Sequence, residues 1–188
     1  MTVVVVGYGM AGARLVADLG GRRAVTVLGA EPHRAYNRIL LSSLVAGKVG
    51  EPELALTESV DRGVSVRLGV SAVGIDRRHR TVGTGDGQTI PYEHLVLATG
   101  AQAALPPIKG LVGDDGSLPS RVAAFRTLDD GRRILALARR ATSALVLGGG
   151  LLGLEAARGL AQRGLAVTVL HGAGHLMERQ LDPPAGAV

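Results

Sequence analysis

The fold of this chain is decided by its opening stretch, Val3-Val4-Val5-Val6-Gly7-Tyr8-Gly9-Met10-Ala11-Gly12. Four consecutive valines predict a strand that is buried on both faces, as strands of parallel sheets are. The glycines that follow have the Gly-x-Gly-x-x-Gly spacing of a turn that wraps a pyrophosphate. The first glycine permits the tight bend, the second lets the backbone approach the phosphates, and the third lets the next helix pack close to the strand. We predict that this helix runs from Met10 to Leu19 and directs its first amides at an anion.

A second copy of this pattern lies near the end of the chain. Residues 144–147 are apolar, and the glycine spacing and the start of a predicted helix then recur at Gly148, Gly150, Leu151, Leu152 and Gly153. The letters Val-Thr-Val-Leu follow both copies, at residues 25–28 and 167–170. A single glycine triplet is a weak indication, but its repetition predicts two dinucleotide-binding units and therefore two bound dinucleotides.

The two copies differ after their second strands. Glu31 lies where a dinucleotide fold places the carboxylate that accepts hydrogen bonds from the adenosine ribose, although an exposed loop glutamate before Pro32 is the alternative. The second copy has the turn His171–Gly174 at that place, without an acid. The usual rule for NADH or NADPH preference therefore gives no answer. Arg179 within reach of a 2′-phosphate is one hypothesis, and His171 as an ordinary loop residue is another.

The segment between the copies carries short alternating patterns. Predicted strands separated by short turns indicate a small antiparallel meander, at residues 64–68, 70–75, 81–84 and 88–90. Residues 95–100 form a further predicted buried strand that ends in a turn of small residues. Small residues at the carboxyl end of a strand again permit a close approach to a ligand.

The rest of the chain predicts two domains. Residues 101–120 are rich in Pro, Gly and Asp and indicate a linker. Thr127 is a predicted N-cap of a helix that runs to about Arg140. The predicted organisation is a first domain at residues 1–105, a linker at residues 106–126 and a truncated second domain at residues 127–188.

Composition limits the possible functions. Hydrophobic residues make up 46% of the chain and aromatic residues only 2%, so the core consists of Val, Leu and Ala. The absence of cysteine excludes disulfides, thiol redox pairs and Cys-ligated metal sites within this sequence. The net charge of +5 comes from dispersed arginines, which disfavours a nucleic-acid-binding function. With no signal peptide and no apolar run of spanning length, we expect a cytoplasmic protein without a membrane partner.

These motifs resemble the FAD-dependent pyridine nucleotide–disulfide oxidoreductases. Two strings, YNRILLSS at residues 36–43 and HLMERQLDPPAGA at residues 175–187, look like the group of assimilatory NAD(P)H nitrite reductase large subunits. The first string also has close relatives in rubredoxin and ferredoxin reductases. The resemblance covers nearly the whole chain but only the N-terminal part of such a subunit. It implies an α/β fold: a Rossmann-like FAD-binding domain with a small antiparallel meander, then an incomplete Rossmann-like NAD(P)-binding unit.

The resemblance also implies roles for individual residues. The predicted FAD contacts are Gly7, Gly9, Met10, Ala11, Gly12, Glu31, Arg38, Ser42, Val73, Ala98, Thr99 and Gly100. The predicted NAD(P)H contacts are Gly148, Gly150, Leu151, Leu152 and Gly153. Glu155 matches an acid that faces the flavin–nicotinamide junction in the family and is the predicted catalytic residue. A glutamate that is merely favoured by the helix dipole is the alternative for this position.

The function implied by the resemblance is that of an FAD-dependent NAD(P)H oxidoreductase. Such a module passes electrons from NAD(P)H through the flavin to a metal centre on an acceptor domain or protein. For nitrite reductase, siroheme and the 4Fe-4S cluster would lie in a C-terminal part that this sequence lacks, so no metal site is expected here. Two alternatives remain open at this point: a non-catalytic dinucleotide-binding fragment, and part of a rubredoxin or ferredoxin reductase.

Overall fold

The computed structural model describes residues 2–19, 21–56 and 63–187, which form an α/β structure. Its strands are β1 (Thr2–Val6), β2 (Ala24–Gly29), β3 (Val64–Leu68), β4 (Ala72–Asp76), β5 (Thr81–Thr84), β6 (Thr89–Pro91), β7 (His94–Leu97), β8 (Ser143–Leu147) and β9 (Ala166–Leu170). Its α-helices are α1 (Met10–Leu19), α2 (Leu41–Val45), α3 (Leu128–Ala138), α4 (Leu151–Gln162) and α5 (Pro183–Gly186). Short 3-10 helices occupy Arg38–Leu40 and Glu51–Leu54. Within the described residues, no helix is both long enough and apolar enough to cross a membrane.

Backbone contacts divide the chain into two compact units. The first unit comprises Met1–Arg38 and Leu54–Gln102, and the second comprises Ile39–Glu53 and Ala103–Val188. The short segment Ile39–Glu53 therefore packs with the later part of the chain, which the sequence pattern did not indicate. The domain limits at residues 105 and 126 stay a prediction.

The first unit is built on a parallel sheet with the strand order β3-β2-β1-β7. The predicted burial of β1 on both faces is confirmed, because Val3, Val4, Val5 and Val6 are all buried. Val3 and Val5 pack in one core cluster with Ala13 and Val16 of α1, whereas Val4 and Val6 belong to a cluster on the opposite face.

A small antiparallel meander covers that opposite face. Its strand order is β4-β5-β6, and Val82 of β5 is fully buried against Val4, Val6 and Leu28. The predicted meander is thus confirmed, but the inclusion of residues 64–68 in it is wrong. These residues form β3, which pairs in parallel with β2 at the edge of the main sheet.

The strand β7 differs from its prediction in burial. It pairs in parallel with β1, as a strand of the core sheet should. Leu97 at its end is nevertheless 61% exposed, so the prediction of a strand buried throughout is wrong. No helix or strand lies between Leu97 and Leu128, a stretch that the structure describes throughout.

The second unit contains the parallel pair β8-β9, connected by α4. Its core joins residues from α2, α4 and the strands, among them Val45, Leu160 and Val146. The predicted cap of α3 is confirmed as a capping box, in which the Thr127 hydroxyl accepts from the Asp130 amide at 3.1 Å. The other face of the pair is uncovered in the described part of the unit, and its exposed side chains include Leu145, Leu147 and Leu170.

Candidate functional site

The first glycine loop, Gly7–Gly12, joins β1 to α1, and each of its three glycines has a distinct environment. Gly7 has a φ of +109°, and a Cβ on it would lie 2.1 Å from the carbonyl oxygen of Ala98. A Cβ on Gly12 would lie 2.1 Å from the carbonyl oxygen of Gly7, because the helix packs directly on the turn. A Cβ on Gly9 would meet nothing within 4 Å. Gly9 is therefore the position where an absent side chain leaves room for a ligand.

The second glycine loop, Gly148–Gly153, repeats this arrangement between β8 and α4. Gly148 has a φ of +114°, and a Cβ on Gly153 would lie 2.0 Å from the carbonyl oxygen of Gly148. Gly150, like Gly9 in the first loop, has nothing within 4 Å of its Cβ position. Two loops far apart in sequence thus share the same division into a bend, an open side and a helix contact.

Both loops lead into a helix whose first amides are available to an anion. The first backbone hydrogen bonds of the two helices correspond, from Ala13 to Gly9 at 2.9 Å and from Leu154 to Gly150 at 3.0 Å. Gly150 is the N-cap of α4, and no side chain caps it. Amides at a helix start have no partner within the helix and carry the positive end of its dipole. The backbone of each loop therefore fits the pyrophosphate of a dinucleotide.

Glu31 lies two residues beyond β2 and is held by two neighbours. Arg38 donates from Nη2 to Glu31 Oε1 at 2.6 Å, and the Tyr36 hydroxyl donates to Glu31 Oε2 at 2.7 Å. The Arg38 guanidinium also stacks 5.1 Å from the centre of the Tyr36 ring. Each carboxylate oxygen has two acceptor sites, so Glu31 keeps capacity for further hydroxyl donors such as those of a ribose.

The remaining residues predicted for the FAD site are divided between the two units. Val73 is 70% exposed on β4, and Gly100 has a φ of +70° in the turn Ala98–Gly100 after β7. Both belong to the first unit, as Arg38 does. Ser42 lies in α2 of the second unit, where its hydroxyl donates to the Ile39 carbonyl at 3.4 Å.

Glu155 is exposed on α4, two residues beyond the glycine loop and about one turn beyond the start of the helix. The first turn of this helix contains no acid. The effect of the helix dipole falls off within the first turn, so it gives little reason for a glutamate here. The catalytic role of Glu155 stays a prediction.

Two side chains that were not among the predicted site residues act on these loops and their neighbours. The hydroxyl of Tyr36 orients Glu31, and the only signal for it was its place two residues before Arg38. His171, which was left open as an ordinary loop residue, accepts a hydrogen bond at Nδ1 from the Gly149 amide at 3.1 Å. No sequence pattern indicated that contact. Arg179 is exposed, and its proximity to a 2′-phosphate stays a hypothesis.

The described residues contain no group of three His, Cys, Asp or Glu side chains that could hold a metal ion. The candidate site is therefore a pair of dinucleotide-binding loops, one in each unit, with Glu31 beside the first. These loops are formed by the backbone, so the glycine spacing is their main requirement in sequence.

Comparisons with known proteins agree with this geometry. The family model for pyridine nucleotide-disulphide oxidoreductases matches residues 1–188. The chain is 38% identical over 191 residues to nitrite reductase [NAD(P)H] of Bacillus subtilis, an alignment that includes 98% of this chain and 23% of that protein. It is 34% identical over 194 residues to the ferredoxin reductase component of chlorobenzene dioxygenase of a Cupriavidus species, with 98% of this chain and 45% of that protein aligned.

A solved structure shares the fold over the full length of the chain. The NAD-dependent persulfide reductase of A. fulgidus superposes with a TM-score of 0.86 at 28% identity, over 100% of this chain and 37% of that one. The chain thus spans less than half the length of each of these relatives. Because the family model covers every residue and both glycine loops have the expected form, the chain belongs to the pyridine nucleotide-disulphide oxidoreductase family, whose members are oxidoreductases that use FAD and NAD(P)H.

Proposed function

We propose that this chain is the electron-entry module of a nitrite reductase large subunit, with FAD on the first glycine loop and NAD(P)H on the second. The observation that carries the proposal is the duplicated loop, in which Gly9 and Gly150 both leave an open side at the start of a helix. The identity of 38% to the Bacillus subtilis nitrite reductase supports the choice of parent protein.

In this proposal the first unit binds FAD mainly through its backbone. The amides of Met10 and Ala11 receive the pyrophosphate, and Glu31 accepts the adenosine ribose hydroxyls. Arg38 and Ser42 serve as flavin or phosphate contacts, and Val73 offers its backbone to the adenine. The turn of Ala98, Thr99 and Gly100 lies beside the flavin, and its small side chains permit a close approach of the ligand.

The second unit binds NAD(P)H in the same manner. Gly148, Gly150 and Gly153 form the loop, and the amides of Leu151 and Leu152 receive the pyrophosphate. When bound together, FAD and NAD(P)H supply hydride transfer followed by single-electron transfer, and this chemistry belongs to the cofactors. Glu155 is the proposed catalytic residue for the hydride transfer.

Reduction of nitrite itself requires groups that the residues of this sequence do not supply. Siroheme and a 4Fe-4S cluster are proposed for a further part of a longer protein, since this sequence has no cysteine ligands. The partner of the module is therefore an electron-acceptor domain, and the proposed location is the cytoplasm.

A ferredoxin reductase is the second candidate function. The identity of 34% to the ferredoxin reductase component of chlorobenzene dioxygenase favours it. A non-catalytic dinucleotide-binding fragment is the third, favoured by the uncovered face of β8 and β9 with its exposed Leu145 and Leu147.

The test is to load the purified chain with FAD, mix it rapidly with NADH or NADPH without oxygen, and follow the flavin absorbance. Rapid bleaching by either nucleotide is the expected result. Transfer onward to an added ferredoxin would favour the second candidate over the first. A chain that binds FAD and is reduced by neither nucleotide would favour the non-catalytic fragment.

The matched variants for this experiment both lie on α4. Glu155→Gln is expected to slow bleaching about tenfold or more, as is typical when a positioned acid is removed. Arg158→Gln, which changes an exposed neighbour on the same helix, is expected to leave the rate unchanged. Equal rates in both variants would remove Glu155 from the proposed mechanism.

A further inference from the structure

The backbone of Gly149, the second residue of the second glycine loop, is held on both sides of its Cα. Its amide donates to His171 Nδ1 at 3.1 Å, and its carbonyl accepts from the Met177 amide at 2.9 Å. A Cβ on Gly149 would lie 2.5 Å from Leu176 Cδ2 and 2.9 Å from His171 Cγ, so these two side chains leave no room for a side chain at this position. Gly149 is buried, and a buried amide requires such a partner.

This contact determines which ring nitrogen of His171 acts as the acceptor. A nitrogen that accepts a hydrogen bond carries no proton, so the proton of a neutral ring sits on Nε2. Nε2 lies 2.9 Å from the His175 carbonyl and 3.0 Å from Glu178 Oε2, and both can accept that proton. The His171 side chain is 15% exposed. The His171 ring therefore connects the glycine loop to the segment that follows β9.

The first unit fills the corresponding space in the opposite way. There the residue that corresponds to His171 is Gly29, the last residue of β2, and a Cβ on it would lie 3.1 Å from Cβ of Tyr8, the second residue of the first loop. In the second unit the loop position is the glycine, Gly149, and the ring comes from the strand end as His171. In the second unit the bulky side chain therefore lies at the strand end instead of in the loop. There it also accepts a hydrogen bond from the loop backbone.

We propose that His171 is a positioning residue of the second glycine loop. By accepting the hydrogen bond of the Gly149 amide, its ring fixes the orientation of the following residues, Gly150 and Leu151, whose backbone would receive the pyrophosphate. His171 itself does not touch the dinucleotide in this role. The inference rests on the proposed function, since it takes the second loop as the NAD(P)H site.

Two substitutions at His171 separate the hydrogen bond from the volume of the side chain. His171→Asn keeps an acceptor, because the amide oxygen can stand near the place of Nδ1, whereas His171→Leu removes every acceptor. His175→Gln is the matched control, because the His175 ring contacts the Leu181 carbonyl through Nε2 at 3.1 Å, outside the glycine loop. The unfolding midpoint of each variant shows whether it folds.

The first measurement is hydrogen exchange of the Gly149 amide in the ligand-free chain. We expect protection in the wild type, in His171→Asn and in His175→Gln, and faster exchange in His171→Leu. The second is calorimetric titration with NADH and with NADPH. We expect His171→Leu to bind about tenfold more weakly, a size typical of one lost buried hydrogen bond, and His171→Asn to stay within about threefold of wild type.

Unchanged exchange and affinity in His171→Leu would overturn the proposal, as would equal losses in His171→Leu and His171→Asn. A wild-type chain that binds neither nucleotide would overturn the proposed function together with this role. In that case exchange at Gly149 still decides whether the hydrogen bond exists, so the two failures are distinguishable.

Discussion

The two glycine loops have the same backbone form in very different surroundings. The first loop follows β1, whose sheet is covered on both faces, so that Val4 is fully buried. Its Gly7 lies against Ala98, in the turn after β7. The second follows a strand whose corresponding residue, Leu145, is 60% exposed. In both loops the bend has a positive φ and the helix packs on the bend. The local sequence therefore determines the strand–turn–helix conformation, whether or not the strand before the loop is buried.

The largest expected difference between the loops concerns their first glycines. Gly7→Ala should lower the free energy of unfolding by about 3 kcal/mol or more, because a methyl cannot stand 2.1 Å from a carbonyl oxygen. Gly148→Ala meets nothing within 4 Å and should cost about 1–2 kcal/mol from its positive φ alone. Urea unfolding followed by circular dichroism measures both. Equal costs would mean that the surroundings of the loops do not differ as described.

A second difference concerns the strands that precede the loops. Val4→Ala should cost about 2 kcal/mol, since it leaves a cavity in a closely packed core. Leu145→Ala, at the corresponding position of β8, should change stability by less than about 0.5 kcal/mol because the side chain is exposed. The same urea unfolding experiment measures both variants. A large loss in Leu145→Ala would show that the face of β8 is covered in solution.

The third difference is the acid that only the first copy carries. Glu31→Gln should weaken FAD binding about tenfold, because a charged acceptor for the ribose hydroxyls is lost. Tyr36→Phe should have a smaller effect of about threefold, since Arg38 still holds the carboxylate. Fluorescence titration with FAD measures both. An effect on NADH affinity instead of FAD affinity would contradict the assignment of the loops.

The smallest effect concerns an exposed histidine in the first unit. His79 Nδ1 lies 2.7 Å from Asp76 Oδ2, and this hydrogen bond lowers the pKa of Asp76 and raises the pKa of His79. The contribution of the Asp76 carboxylate to the stability of the fold is lost as pH falls through the lowered pKa of Asp76. The contribution of the His79 imidazolium is lost as pH rises through the raised pKa of His79. Both contributions are fully present between pH 3.8 and pH 6.5, the ordinary pKa values of the two groups.

An NMR titration of the His79 ring checks this interaction. Asp76→Asn should return the pKa of His79 toward 6.5. Asp86→Asn is the matched control, because Asp86 pairs with Arg67 at 2.7 Å and should leave the titration of His79 as it is. An unchanged pKa of His79 in Asp76→Asn would contradict the pairing.

Much of the fold could be predicted because its signals are local. The valine run and the glycine spacing defined β1, the first loop and α1, and Thr127 with Asp130 defined the start of α3. The sheet of β3 was assigned wrongly for a physical reason. Its letters alternate between apolar and polar residues like those of a meander strand, and its partner β2 is distant in sequence.

The contacts between side chains could not be predicted in the same way. Nothing in the letters of Ile39–Glu53 says which core the segment joins, since an apolar helix face fits either one. The roles of Tyr36 and His171 depend on distances to Glu31 and Gly149 that exist only after folding.

If each loop binds its own dinucleotide, a crossed calorimetric titration with FAD and NADH should separate the two loops. Gly9→Ala and Gly150→Ala insert a methyl into open space. The free energy of unfolding of both variants should therefore lie within about 1 kcal/mol of that of the wild type. We expect Gly9→Ala to abolish binding of FAD and retain NADH, and Gly150→Ala to retain FAD and abolish NADH. Retention of both ligands by both variants, or the loss of the same ligand in both, would contradict the account.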